Sequence, residues 1–282
     1  MGDYAKDVLV TTDWVAENLD NPDIRLVDVD EDTEAYERGH IRNAIGLHWR
    51  NDLQDELRRD FVDAGQFAVL NDRIGVTNDT QVVLYGGNNN WFACYAYWYY
   101  RYYGHPDVKL LDGGRKKWEL EGRELTKDPP KIVPSDGYAT AAANADIRAL
   151  RDFIAADVIG KPGWGLVDVR SPEEYRGELL APAHLPQEQS QKPGHIPGAA
   201  NIPWGKNVNA DTGQFLPKGE LEKLYADEGI TKDSNVVAYC RIGERSALAW
   251  FVLYELLGFE GVRNYDGSWT EWGSLVGAPI ER

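Results

Sequence analysis

The residues best placed to do chemistry are Cys240-Arg241-Ile242-Gly243-Glu244-Arg245, a cysteine followed within one short segment by two arginines and a glycine. The run Val236-Val237-Ala238-Tyr239 just before it is continuously apolar, as a strand buried on both faces would be. From Glu244 to Leu257 the chain is apolar nearly all round and ends at Gly258, the pattern of a buried helix with its C′ glycine. A loop joining a strand's C-terminal end to a helix N-terminus can turn several backbone N–H groups on one point, and with Arg241 and Arg245 it would hold an anion there. The same field stabilises thiolate over thiol, so Cys240 is the predicted nucleophile, with Arg245, Arg241, Ile242, Gly243 and Glu244 as its binding loop. A cysteine at a strand end is also a common small core residue, but cations on both sides of the thiol favour chemistry.

The chain repeats itself, and the repeat gives that loop its frame. Leu26-Val27-Asp28-Val29 recurs as Leu166-Val167-Asp168-Val169, and Gly39-His40-Ile41 recurs as Gly194-His195-Ile196. Val82-Val83-Leu84-Tyr85 matches Val236 to Tyr239, and Leu111-Asp112-Gly113-Gly114 with Trp118 matches Tyr265-Asp266-Gly267-Ser268 with Trp272. The four apolar runs are predicted strands, and Thr12 or Asp13 and Glu220 to Ala226 mark helices, so each half reads as a mostly parallel sheet flanked by helices on both faces. The Pro-rich stretch around Asp128-Pro129-Pro130 predicts a linker. The expected organisation is a domain over 1–126, a linker over 127–143 and a second domain over 144–282, with a surface loop inserted from Glu178 to Lys192.

The repeat also sorts the candidates. It aligns Gly86, not Cys94, with Cys240, so Cys94, in the aromatic stretch Trp91 to Tyr103, is expected to be a packed core residue; the first half, whose loop has neither thiol nor cation, is expected to be structural, with a docking module for a partner as the alternative. His40 and His195 hold the same place in both halves although only one half has the cysteine, which argues for scaffold rather than acid-base chemistry. Asp168 and Arg170, after a buried strand, either pair and support the catalytic loop or leave Arg170 as a solvated charge at the strand end. Trp269 and Trp272 either wall the pocket or belong to the core.

Composition bounds the partners. Thirty basic against 46 acidic side chains give a net charge of −16, which disfavours nucleic acid and anionic membranes. Two cysteines are too few for a disulfide framework or a thiolate metal site, Met1 to Lys6 carry no signal-peptide or myristoylation pattern, and no apolar run is of spanning length. A cytoplasmic protein is expected. Within the loop the charge balance inverts, which points to a small anion.

The tandem layout, the Val-Asp-Val-Arg and Gly-His-Ile-Pro-Gly-Ala motifs and the Cys-Arg-Ile-Gly-Glu-Arg loop resemble rhodanese, a tandem thiosulfate sulfurtransferase, across essentially the whole chain; the loop looks like the actinobacterial type. The resemblance implies two rhodanese-like α/β domains and a persulfide on Cys240. A small anionic sulfur donor, thiosulfate, would load it, cyanide or a thiol would receive the sulfur, and a protein could also be the acceptor. It implies no metal or organic cofactor. In well-known rhodaneses an arginine just before the aromatic residue of the first motif contacts substrate; here that position is Glu174, so substrate binding falls to Arg245, with Arg241 second. Related cysteine phosphatases place five residues between Cys and Arg, and here there are four, which suits a single sulfur better than a phosphoryl group. Mercaptopyruvate sulfurtransferases share fold and nucleophile but carry Cys-Gly-Ser or Cys-Gly-Thr where this chain has Cys240-Arg241. A non-catalytic sulfur-relay protein is the remaining alternative.

Overall fold

The computed structural model describes residues 3–182 and 189–282. The chain forms two compact units. The first comprises Val8–Asn144 with Asn209–Phe215; the second comprises residues 3–7, Ala145–Val208 and Leu216–Arg282.

The first unit is built on five parallel strands, β1 (Leu9–Val10), β2 (Ile24–Val29), β3 (Ile45–Leu47), β4 (Gln81–Tyr85) and β5 (Val108–Leu111), in the order β1-β5-β4-β2-β3. The second has four, β6 (Trp164–Asp168), β7 (Ala199–Asn201), β8 (Asn235–Tyr239) and β9 (Val262–Tyr265), in the order β7-β6-β8-β9. Both sheets are wholly parallel and flanked by helices, as expected of an α/β protein. The four apolar runs become β2, β4, β6 and β8, each of which has sheet neighbours on both sides, as β5 also has.

Local choices explain the elements. The first helix, Thr12–Asn18, is capped by Thr11 rather than by Thr12 or Asp13: Thr11 is extended, its hydroxyl accepts the Trp14 N–H at 3.1 Å, and Thr12 sits inside the helix with its own hydroxyl donated to Glu121. The helix expected over Glu220 to Ala226 starts at Lys218, just after Pro217. In the aromatic helix Trp91–Tyr102, Cys94 is fully buried, and burial pushes its thiol well above the ordinary value. The long helix after Cys240 runs as an α-helix over Glu244–Phe251 and loosens to a π-turn over Val252–Leu256 before Gly258.

The Pro-rich stretch lies against the first unit, where Ser135 and Tyr138 bond to Asp72 and Asn78 bonds to Ala139. Segments are exchanged in sequence: Lys6 pairs with Glu255 at 2.8 Å and stacks on Tyr254, both in the second unit, while the Phe215 N–H donates to Asp112 in the first. The inserted loop expected from Glu178 to Lys192 includes 183–188, which lie outside the described residues; at its far end Lys192 bonds to Gly273. Among the described residues no helix is long and apolar enough to cross a membrane.

At the end of β2 a buried ion pair closes the first unit. Arg115 donates to the Asp28 carboxylate and to the Gly39 carbonyl, with its guanidinium over the Tyr85 ring. Arg115→Leu leaves a buried carboxylate without its cation, and is expected to cost about 3–5 kcal/mol of stability, read from urea unfolding followed by tryptophan fluorescence; a loss below 1 kcal/mol would show that Asp28 does not depend on this partner.

Candidate active site

Cys240 follows the last residue of β8 and is fully buried. Its backbone is held from the neighbouring turn: the Cys240 N–H donates to Ser268 Oγ at 3.0 Å, its carbonyl accepts the Trp269 N–H at 3.0 Å, and the Arg241 carbonyl accepts both the N–H and the hydroxyl of Thr270. Ser268 adopts a left-handed φ of 53° and gives its hydroxyl hydrogen to the Tyr265 carbonyl. Sequence reasoning did not single out Ser268; its only signal is its place after Asp266-Gly267, where the first half has Gly114.

The loop then turns back on the sulfur. Gly243, at φ 106°, donates its N–H to Cys240 Sγ at 3.1 Å. A side chain there would be strained, and a Cβ would lie 2.7 Å from Asp266 Cα. The Gly243 carbonyl is held by Asn264 Nδ2 at 3.1 Å and by Ser246 Oγ, and Ser246 reaches Asn264 Oδ1 at 2.7 Å. Burial drives the Cys240 thiol up, but the Arg245 charge, the Ser246 hydroxyl and the N–H groups of Ser246 and Gly243 outweigh it, and the net shift is downward from the ordinary cysteine value. Gly243, Ser246 and Arg245 thus stabilise the thiolate form of Cys240. Among the described residues no group of three or more His, Cys, Asp and Glu side chains is placed to hold a metal ion.

The other candidates fall into three places. Arg241, Ile242, Glu244 and Arg245 are all buried in the loop. Arg245 is bound to Glu174, which comes from the short helix Pro172–Tyr175: its two terminal nitrogens reach the two carboxylate oxygens at 2.9 and 3.0 Å. Glu174 is fully buried, and although burial raises its pKa, Arg245 pulls it below the usual carboxylate range. The residue expected merely to depart from a substrate arginine is thus the loop arginine's partner. Arg176, next along, points away to Glu178 and Glu173.

Asp168 and Arg170 form a fully buried pair behind the loop. Arg170 Nη2 donates to Asp168 at 2.6 Å and to the Gly194 carbonyl at 2.7 Å, and its guanidinium lies 4.7 Å from the centre of the Trp269 ring. The backbone N–H of the same Trp269 donates to the Cys240 carbonyl. Trp269 and Trp272 belong to the core cluster of this unit with Tyr239 and Tyr265. His195 stacks on Tyr175 with centroids 3.7 Å apart, and His40 stacks on Tyr36 at 3.9 Å, each ring bonded to its tyrosine's carbonyl. Equal packing in both units fits scaffold.

The matching loop of the first unit is differently filled. The Gly87 N–H donates to the Asp30 carboxylate at 2.7 Å, the Gly86 N–H to Asn90 Oδ1 at 3.0 Å, and Asn88, Asn89 and Asn90 are all left-handed. The loop has bound a carboxylate of its own chain.

Two parallel α/β domains in tandem, one with a cysteine at the strand-to-helix loop, define the class of the protein. The chain belongs to the rhodanese-like family: the Rhodanese-like domain matches it twice, over residues 11–121 and 154–275. It is 59% identical over 275 residues, 98% of each chain, to a Mycobacterium tuberculosis protein named "Putative thiosulfate sulfurtransferase". It is 52% identical over 284 residues to the Thermus thermophilus "Sulfur carrier protein TtuD", covering 100% of this chain and 99% of that one. Among solved structures it resembles an EanB variant with a cysteine persulfide and ergothioneine, with a TM-score of 0.82 and 26% identity, over 97% of this chain and 70% of that one.

Replacing Gly243 by Ala strains the backbone and forces the loop off Asp266, so the N–H to Sγ bond is lost. A hydrogen bond to a charged acceptor contributes about 1.5–3 kcal/mol, so the thiolate titration read by ultraviolet absorbance should move up by roughly 1 to 2 pH units; an unmoved titration would mean that this N–H does not stabilise the thiolate.

Proposed function

We propose that the protein is a sulfurtransferase that carries sulfane sulfur as a persulfide on Cys240, with thiosulfate as a donor and cyanide or a thiol as acceptor. The observation that carries the reading is the Cys240 sulfur itself, out of contact with solvent yet held toward its thiolate form by Gly243, Ser246 and Arg245. The names of the relatives support it at the level of sulfur transfer. Reaction begins when the thiolate attacks the outer sulfur of thiosulfate. A new S–S bond forms at Cys240, the bond inside thiosulfate breaks, and its electron pair leaves with sulfite. An acceptor then attacks the terminal persulfide sulfur, and the Cys240 thiolate departs with its electrons. No net oxidation of the protein occurs over the cycle.

The loop suits both halves of the cycle. N–H groups that hold a thiolate can also hold a persulfide's terminal negative charge one bond further out. Asp168 and Arg170 act by keeping Trp269, and through it the Cys240 backbone, in place. Cys94, with a thiol held neutral by burial, takes no part. The first unit, whose loop lacks a thiol, is structural in this reading.

Incubation with thiosulfate is expected to add the mass of one sulfur atom to Cys240, seen by intact mass spectrometry and removed by cyanide with release of thiocyanate. Cys240→Ser abolishes both, whereas Cys94→Ser keeps both. Loading by mercaptopyruvate with none by thiosulfate would replace the donor in this reading.

A further inference from the structure

Three buried ionisable groups are coupled at the loop: Cys240, Arg245, which stabilises its thiolate, and Glu174, which binds Arg245; the Asp168–Arg170 pair beside them is neutral as a unit. Arg245 and Glu174 cancel, so with Cys240 as the thiolate the cluster carries one net negative charge. Glu174 is the member that comes from outside the loop. Its carboxylate takes both terminal nitrogens of Arg245 and also accepts the Ser171 N–H in a capping box, which locks the short helix Pro172–Tyr175 and the arginine together. Arg245 therefore acts on the sulfur with its charge already compensated and two donors already engaged. In a buried site one charge is felt over several ångströms, because little water screens it.

We propose that Glu174 sets the charge of the sulfur donor, so that Cys240 is loaded preferentially by a singly charged persulfide, R–S–S⁻, rather than by the dianion thiosulfate. The inference rests on the persulfide reading of Cys240 and refines its donor. The step balances: Cys240–S⁻ attacks the outer sulfur of R–S–S⁻, the donor's S–S bond breaks, and R–S⁻ leaves with the electron pair. Thiosulfate brings one more negative charge to a cluster that is already negative, while both terminal nitrogens of Arg245 already donate to Glu174. With a neutral residue at 174 the cluster has no net charge and the penalty on the dianion falls.

The test compares kcat/KM for loading by thiosulfate and by the persulfide of 2-mercaptoethanol, whose R group is uncharged. Wild-type protein is expected to load faster from the persulfide. Glu174→Gln keeps an oxygen acceptor for Ser171 and removes the charge, and should raise the thiosulfate-to-persulfide ratio on the order of tenfold. The double variant Glu174→Gln with Arg245→Gln removes one charge of each sign. Its ratio should return to within about twofold of wild type, because the pair is neutral as a unit. A ratio unmoved by Glu174→Gln overturns the proposal. So does a double variant whose ratio falls about tenfold, since Arg245 would then be reading the dianion directly. If the single variant does not fold, the double variant decides alone by the same two outcomes. Absence of sulfur on wild-type Cys240 from either donor would instead sink the persulfide reading beneath it.

Discussion

A thiolate with no exposure to water has lost the hydration that normally keeps it charged, and the second unit is arranged around replacing that hydration. Desolvation is the largest influence on Cys240, and it acts against the anion. What opposes it is partly backbone: a parallel sheet delivers β8 into a tight turn whose Gly243 N–H lies 3.1 Å from the sulfur. The rest is the Arg245 charge and the Ser246 side chain and N–H. Each of these must itself be held still. Asn264 and Ser246 fix the Gly243 carbonyl, Ser268 and Trp269 fix the Cys240 backbone, and the Asp168–Arg170 pair lies under Trp269. The burial of so many polar groups is tolerable because they bond to one another.

Comparison of the two units separates what the fold requires from what the chemistry requires. In the second, Arg170 follows β6 directly and binds Asp168 and the Gly194 carbonyl, with Tyr239 beneath it. In the first, the equivalent Asp28 and Gly39 carbonyl are bound by Arg115, which arrives from the helix after β5, with Tyr85 beneath it. One guanidinium position is filled from two different elements. A cation there serves the fold, since it persists where no thiol is present. By contrast the Glu174–Arg245 pair has no such counterpart, because the first unit has Glu34 and Trp91 at those places and Glu34 is exposed.

This explains which parts of the molecule could be read from sequence. β2, β4, β6 and β8 declare themselves because a strand with neighbours on both sides and helices over it is apolar at most of its positions, Asp28 and Asp168 being the paired exceptions. β1 has two residues and β3 and β7 have three, too few to leave a pattern. The Cys240 loop was legible because its chemistry is local, a thiol, a glycine and cations within six residues. The Arg245–Glu174 pair joins positions 71 apart, and nothing in the spacing announces it. Arg115 was invisible for a subtler reason. The repeat aligns it with Trp269, so matching residue to residue hides a function that has moved between elements.

Glu174 shows why these charges cannot be chosen independently. Arg245 lowers the Cys240 pKa, which requires the guanidinium to be near and poorly solvated. An uncompensated guanidinium in that place would be costly, since burying a lone charge is penalised by several kcal/mol. Glu174 removes that penalty through two charge-assisted hydrogen bonds, but it also returns a negative charge to the neighbourhood of a thiolate. An arginine at position 174 would invert the balance, favouring a dianionic donor while leaving two buried cations to repel each other. With Glu174 the loop keeps a stabilised thiolate and gives up part of its attraction for anions. The donor it then serves best is one that brings little charge of its own.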